Sequence, residues 1–289
     1  MAPAVAQTAE TEQDMFAALA SGDKCALVAV HYGCNGNDGQ QKRIERLNRQ
    51  LAQTYPTITF REAWTDVAGL SGGNGRKGLT GTLNYVLDDL WQQGYTHVLV
   101  QPSFMTAGTE MDYVRHEAAA HSGKFRQLRV GQQLLGGRED YVRAAHMTMQ
   151  HGVSGKGTAN IVVCGGEDLP SMALLDYILK EENGESWMVV TTTDFPRAET
   201  LVRLLKLRKI KKAKLIHFSF MPLQHDDVER VHETLKAAGV KILGEEVGLG
   251  ESDDFVRMFT DHALHAQHYR SYSPVELKMI QATGRDQQK

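Results

Sequence analysis

Apolar and polar positions along the chain fall into blocks that alternate between short continuous runs and stripes of helical period. An apolar run at Cys25–Val30 is followed by a polar loop, then by Ile44, Leu47 and Leu51 on one helical face. A strand-like run at Thr57–Trp64 and a glycine-rich stretch come next. In the helix after them, Leu83, Val86, Leu87, Leu90 and Trp91 fall at i, i+3, i+4, i+7 and i+8, an amphipathic stripe. Gly94 suits the end of that helix, and His97–Gln101 reads as a third strand. A helix around Met111–His121, a strand Gln127–Leu135 and a helix Arg138–Gln150 complete this half.

The alternation then restarts after a Gly- and Ser-containing segment at His151–Lys156, which reads as a linker. Strand Asn160–Val163 leads to helix Pro170–Glu181, and strand Met188–Thr192 to helix Pro196–Leu207. Strand Lys214–Phe220 leads to helix Asp226–Ala238, and strand Val240–Glu246 to helix Asp253–Tyr269. Helices of this length between strands imply right-handed crossovers and parallel sheets covered on both faces. The expected fold is therefore α/β, with two similar lobes, each a four-stranded parallel sheet flanked by helices. The expected boundaries are an N-terminal extension (1–24), a first lobe (25–152), a second lobe (157–270) and a C-terminal tail (271–289).

Ligands of open parallel sheets bind at the carboxyl ends of the strands. That rule selects Val30–Asn35, Trp64–Asp66 and Gln101–Thr106 in the first lobe. In the second it selects Cys164–Asp168, Thr192–Asp194, Phe220–His225 and Glu246–Glu251.

Composition narrows the class. The chain has 289 residues, 42% hydrophobic and 23% charged, as expected for a globular protein with no membrane span. A net charge of −3 gives no pull toward nucleic acid or an anionic membrane. Cys25, Cys34 and Cys164 show no paired spacing, so neither a disulfide framework nor a zinc knuckle is expected. The first ten residues lack a basic region followed by an apolar core. Cytoplasm is the default expectation, and periplasm stays open if the N-terminus is a processed one.

Several motifs point to chemistry and then fall short of it. The stretch Gly69–Gly81 is rich in glycine, but Lys77 precedes Gly78 rather than following the last glycine of a phosphate loop. A lid or a plain loop is the better reading. His262, His265 and His268 recur every three residues on the last helix, where a solvated face is expected rather than a metal site. The basic run Lys206–Lys214 suits a helix C-terminus. His217 lies within a strand and reads as a buried, hydrogen-bonded histidine. His225 lies just past that strand's carboxyl end, in the expected cleft, and is a candidate ligand or acid–base group.

At these strand ends the sequence resembles the anaerobic sirohydrochlorin cobaltochelatases of CbiK type, within the class II tetrapyrrole chelatases. The resemblance runs from about Ala26 to His268. It is carried by Val30-His-Tyr-Gly33 with Asp38, by Gln92–Gln101 with Gly108-Thr-Glu110 and Tyr113, by Leu128–Leu135 with Asp140-Tyr-Val142, and by Gly248–Glu251 with Phe259. It implies a bilobal fold, a tetrapyrrole held in the cleft, and a divalent metal held by two histidines and a glutamate from the second lobe.

Position by position, the resemblance keeps one of those ligands, His225. The other histidine falls at Gly165 and the glutamate at Thr193, while a first-lobe histidine falls at Phe104. Cys164 and Asp194 stand beside the expected pocket and could rebuild a metal site with His225. The resemblance thus implies a chelatase that inserts Co2+ or Fe2+, as substrate, into sirohydrochlorin or a related macrocycle, or removes it. The missing ligands keep a second reading open, a non-catalytic haem or tetrapyrrole carrier in which His225 or His31 ligates the iron. Gly33, Phe104, Gly165 and Thr193 are the expected macrocycle contacts in either case, and a homo-oligomer is left open.

Overall fold

The computed structural model describes residues 10–33, 38–65, 81–165, 169–193, 195–247 and 249–271. The first half contains β2 (Cys25–His31), α1 (Asp38–Thr54), β3 (Thr59–Trp64), α2 (Leu83–Gln92), β4 (His97–Pro102), α3 (Thr109–His121), β5 (Gln127–Val130) and α4 (Arg138–Met149). The second contains β6 (Thr158–Cys164), α5 (Leu169–Asn183), β7 (Trp187–Thr191), α6 (Ala198–Leu207), β8 (Lys212–Phe218), α7 (His225–Ala237), β9 (Lys241–Glu246) and α8 (Asp253–His268). Each half forms a four-stranded parallel sheet, in the orders β3-β2-β4-β5 and β7-β6-β8-β9. The expected α/β fold of two similar lobes is the observed one.

The central strands β2, β4 and β6 are buried along their whole length or nearly so, which explains why they read as unbroken apolar runs rather than alternating ones. Alternate residues of β2 serve two cores. Ala26, Val28 and Val30 face α2 and α3, whereas Leu27 and Ala29 face α1 and α8.

The halves of the sequence do not map onto separate layers in space. Helix α8, last in the second half, packs on α1, β4 and β5 of the first sheet. Helix α4, last in the first half, packs on α5 of the second. This exchange merges one apolar cluster through both halves, from Leu27, Leu47 and Leu99 to Val162, Phe218 and Phe255. Phe255 and Phe259 of α8 meet Phe218 and Phe220 edge-on, with ring centroids 5.9 and 5.1 Å apart. On the α4 side, Tyr141 Oη lies 2.6 Å from Ser171 Oγ. Gly152 lies so close to the Trp187 ring that a Cβ would collide with it.

Three expectations change. Strand β5 stops at Val130 rather than Leu135, and the next residue, Gly131, passes so close to the Gln101 amide that a Cβ there would overlap it. Leu134 and Leu135 are apolar for another reason: they fill the shared core from a loop, their N–H groups donating to Phe104 O (2.8 Å) and Met105 O (2.9 Å). Part of the expected N-terminal extension is also tied in. Strand β1 (Glu10–Glu12) pairs antiparallel with β10 (Tyr269–Ser271), and Met15 is buried in the shared core. His262, His265 and His268 do not form a solvated face, because α8 crosses to the first lobe. His262 Nε2 lies 3.2 Å from Leu134 O, His265 stacks on Tyr269, and His268 faces Asp14.

The carboxyl ends of the sheets are joined by Arg43, on the first turns of α1. Its Nη1 donates to Phe220 O at 2.9 Å and its Nη2 to Val247 O at 2.7 Å, while Glu251 stands 3.6 Å away. The side chain is 3% exposed, and that burial lowers the guanidinium pKa. Arg43→Met should cost about 2–4 kcal/mol, because it strands carbonyls desolvated by folding. Urea denaturation measures this, and an unchanged midpoint would mean that the shared apolar core alone holds the lobes.

Candidate functional site

In each sheet the strand order reverses at the first strand of the half, leaving a crevice between β2 and β4 and another between β6 and β8. The first crevice is closed by polar side chains. The His31 ring is fully buried, with Nδ1 2.9 Å from Ser103 Oγ and Nε2 3.0 Å from Asn48 Oδ1, and it leans on Trp64 at 5.3 Å between centroids. An amide oxygen only accepts, so His31 donates from Nε2 and accepts from Ser103 at Nδ1. Asn48 passes the chain on by donating to Glu62 on β3. Burial pushes the His31 pKa down to about 4, so the ring is neutral.

His31 is therefore not an open axial ligand, because both ring nitrogens are occupied and no face reaches solvent. Phe104 likewise packs into the first lobe's apolar core, filling the position where the resemblance puts a histidine. Gly33 is half-buried just past β2, followed in chain order from exposed Tyr32.

The second crevice is more open. Gly165 is half-buried past β6, and Thr193 is exposed past β7. Thr193 lines a polar cavity of about 450 Å³ with Thr191, Arg197, Asp227 and Arg230, between the starts of α6 and α7. The Arg197 guanidinium stands 4.8 Å over the Phe195 ring. His225 is the first residue of α7, after Gln224 at the cap, and its imidazole is exposed with no protein partner among the described residues. Asp226 and Asp227 complete an acidic first turn, which suits the positive end of the helix.

Gly165, Thr193 and His225 thus follow three neighbouring strands. Cys164 does not join them. Its side chain is fully buried in the shared core, because its position on β6 has the same parity as Val162, so as a metal ligand it would have to leave that core. Asp194 lies outside the described residues, as does the glycine-rich loop except Gly81. Among the described residues, no group of three His, Cys, Asp or Glu already stands at metal-holding spacing.

The geometry is that of a bilobal chelatase fold with one free imidazole at its expected ligand position, and the sequence profile of the cobalt chelatases, CbiK, matches residues 25–268. The chain belongs to the CbiK cobalt chelatase family. Among curated proteins the comparison found no match. Solved structures of the same fold include the sirohydrochlorin chelatase SirB from Bacillus subtilis subspecies spizizenii in complex with cobalt. It is 15% identical with a TM-score of 0.57, over 84% of this chain and 95% of that one. SirB from Bacillus subtilis with Fe3+ is 14% identical with a TM-score of 0.61, over 84% and 96%. A multi-domain Deinococcus radiodurans protein with structural similarity to chelatases is 13% identical with a TM-score of 0.56, over 90% and 59%. No helix among the described residues is long and apolar enough to cross a membrane.

Within this CbiK-family fold, a reading by strand ends selects His31 and Ser103, but Asn48, Glu62 and Arg43 escape it. Their one signal is a polar residue beside the apolar stripe of α1, since Arg43 precedes Ile44 and Asn48 follows Leu47. The buried His31 gives a pH test. Its folded pKa of about 4 lies below the ordinary 6.5, so the unfolded chain binds the proton first. The stabilisation is complete above pH 6.5 and fades as pH falls toward 4, by up to about 3 kcal/mol. His31→Gln should flatten that part of the stability–pH curve in urea titrations; parallel curves would contradict a neutral buried ring.

Proposed function

We propose that the protein inserts Co2+ or Fe2+, as substrate, into sirohydrochlorin or a closely related macrocycle held at the carboxyl ends of the two sheets. Family membership supports the reaction class, and the sirohydrochlorin chelatase SirB has been solved in complex with cobalt and with Fe3+. The observation that carries the reading is His225, an exposed imidazole without a protein partner at the edge of the second crevice.

Insertion forms bonds from the metal to the pyrrole nitrogens as two N–H bonds break, and the two protons leave to a base or to water. The site must therefore strip water from the ion and accept protons. An imidazole lone pair at His225 does either task. Asp194, one residue past Thr193 in the sequence, is the proposed carboxylate of the set. Gly165 and Thr193 offer no strong donor, so the reaction here rests on fewer protein ligands than the two histidines and glutamate the resemblance implies. Exposed Tyr32, Phe195 and Val247, following β2, β7 and β9, offer apolar surface to a flat ring, and Arg197 offers a cation to its carboxylate arms.

The same free imidazole favours a second reading, axial ligation of haem by a carrier. Haem titration separates the two: a Soret shift abolished by His225→Ala, without metal insertion, would favour the carrier. For the chelatase, absorption spectra of protein with sirohydrochlorin and Co2+ should show metallation above the uncatalysed rate. His225→Ala should slow it about 100-fold. Metallation no faster than in buffer would overturn the proposal.

A further inference from the structure

The amino end of the second sheet gathers a positive charge that the net charge of −3 conceals. The run Lys206–Lys214 supplies part of it, and the fold brings the rest from elsewhere in the chain. Lys211 and Lys212 enter β8, Lys241 begins β9, and Lys156 precedes β6. Backbone hydrogen bonds tie these strand starts together. The N–H groups of Lys211 and Lys212 both donate to Gly157 O, at 2.9 and 3.1 Å, and that of Lys241 donates to Lys211 O at 2.8 Å. Lys206 and Lys236 stand in the last turns of α6 and α7, which finish at the same end of the sheet. All six side chains are exposed.

Local structure accounts for only some of these charges. Cations suit helix C-termini, which explains Lys206 and Lys236 but not the lysines at the strand starts. Lys212 and Lys241 are direct neighbours in the β8–β9 register, where like charges repel. Lys209, also exposed, holds φ at 57°, a left-handed conformation that favours glycine and makes any side chain cost stability. No carboxylate offsets the group: among the described residues, the lysines in ion pairs are Lys124 and Lys180, both elsewhere. Glu185, just before β7, is taken by Arg208.

We propose that this lysine patch, with Leu207 inside it, docks the protein on an anionic lipid surface. Leu207 follows Lys206 and is 77% exposed, and an apolar side chain among lysines fits the boundary between headgroups and acyl chains. Each lysine near anionic headgroups adds attraction. Nucleic acid is the poorer fit. Lysine is a hydrated point charge without the planar fork that reads bases and phosphates in pairs. Among the described residues of β6, α6, β8, α7 and β9, no exposed aromatic side chain is available to stack a base. The patch lies at the amino ends of the strands and the macrocycle crevice at their carboxyl ends, so docking turns the crevice away from the lipid and leaves it open.

The test is co-sedimentation of the full chain with phosphatidylcholine vesicles, with and without phosphatidylglycerol. Binding should require phosphatidylglycerol and fall steeply with added salt, since exposed charges are screened beyond about 10 Å at 0.1 M. Lys211→Glu combined with Lys241→Glu, checked for folding by circular dichroism, should weaken binding at least about 10-fold. Leu207→Ser should weaken binding to the same vesicles while leaving its salt dependence in place. Equal sedimentation with and without phosphatidylglycerol, or binding unchanged by the charge reversals, would overturn the proposal. So would binding to duplex DNA as tight as to the vesicles and indifferent to Leu207→Ser, which would make the patch a nucleic-acid surface. Metal insertion enters none of these readouts, so failure of the chelatase reading and failure of this surface are distinguishable.

Discussion

Arg43 sets the relation between the two lobes on which every property of the crevice depends. A guanidinium cannot shed its charge, so burying it requires acceptors of fixed position. The carbonyls of Phe220 and Val247 supply them from the ends of two different strands. The α1 backbone thereby registers the carboxyl edge of the first sheet against that of the second. The exchanged helices α4 and α8 supply the apolar surface, and Gly250 allows it to close, since a Cβ there would strike Phe220 O. Apolar burial is non-directional; the paired hydrogen bonds give the contact a register.

That arrangement divides the strand ends into two kinds. In the first lobe, Ser103, His31, Asn48 and Glu62 satisfy one another in a single direction of donation, which leaves a closed crevice around a neutral imidazole. In the second, His225 begins a helix and is left to solvent. A chelatase needs both a firm platform and an unsatisfied donor, because a fully hydrogen-bonded histidine must lose a partner before it binds an ion. On the proposed reading the two lobes divide these tasks, although their strand and helix patterns are alike.

The architecture was legible in the sequence because its signals are local. Runs such as Cys25–Val30 and stripes such as Leu83–Trp91 report burial directly, and their alternation dictates a parallel sheet. What escaped is non-local. Leu134 and Leu135 look like strand yet fill a core from a loop. Met15 belongs to a core assembled from residues far along the chain. The imidazoles of α8 look solvated until the helix crosses to the other lobe. At the site, position along the chain put His225 past β8 and exposed, as expected, whereas parity placed Cys164 inside. Of the lysine patch, the run Lys206–Lys214 is local, while Lys156 and Lys241 join it only where the strands pair.

The central claim is that a divalent metal meets the macrocycle at His225. Crystals grown with Co2+ and sirohydrochlorin, measured at the cobalt absorption edge, would locate the ion directly. An anomalous peak within bonding distance of the His225 imidazole, between it and the macrocycle nitrogens, is the predicted result. A macrocycle bound in the crevice with no cobalt near His225 would contradict it.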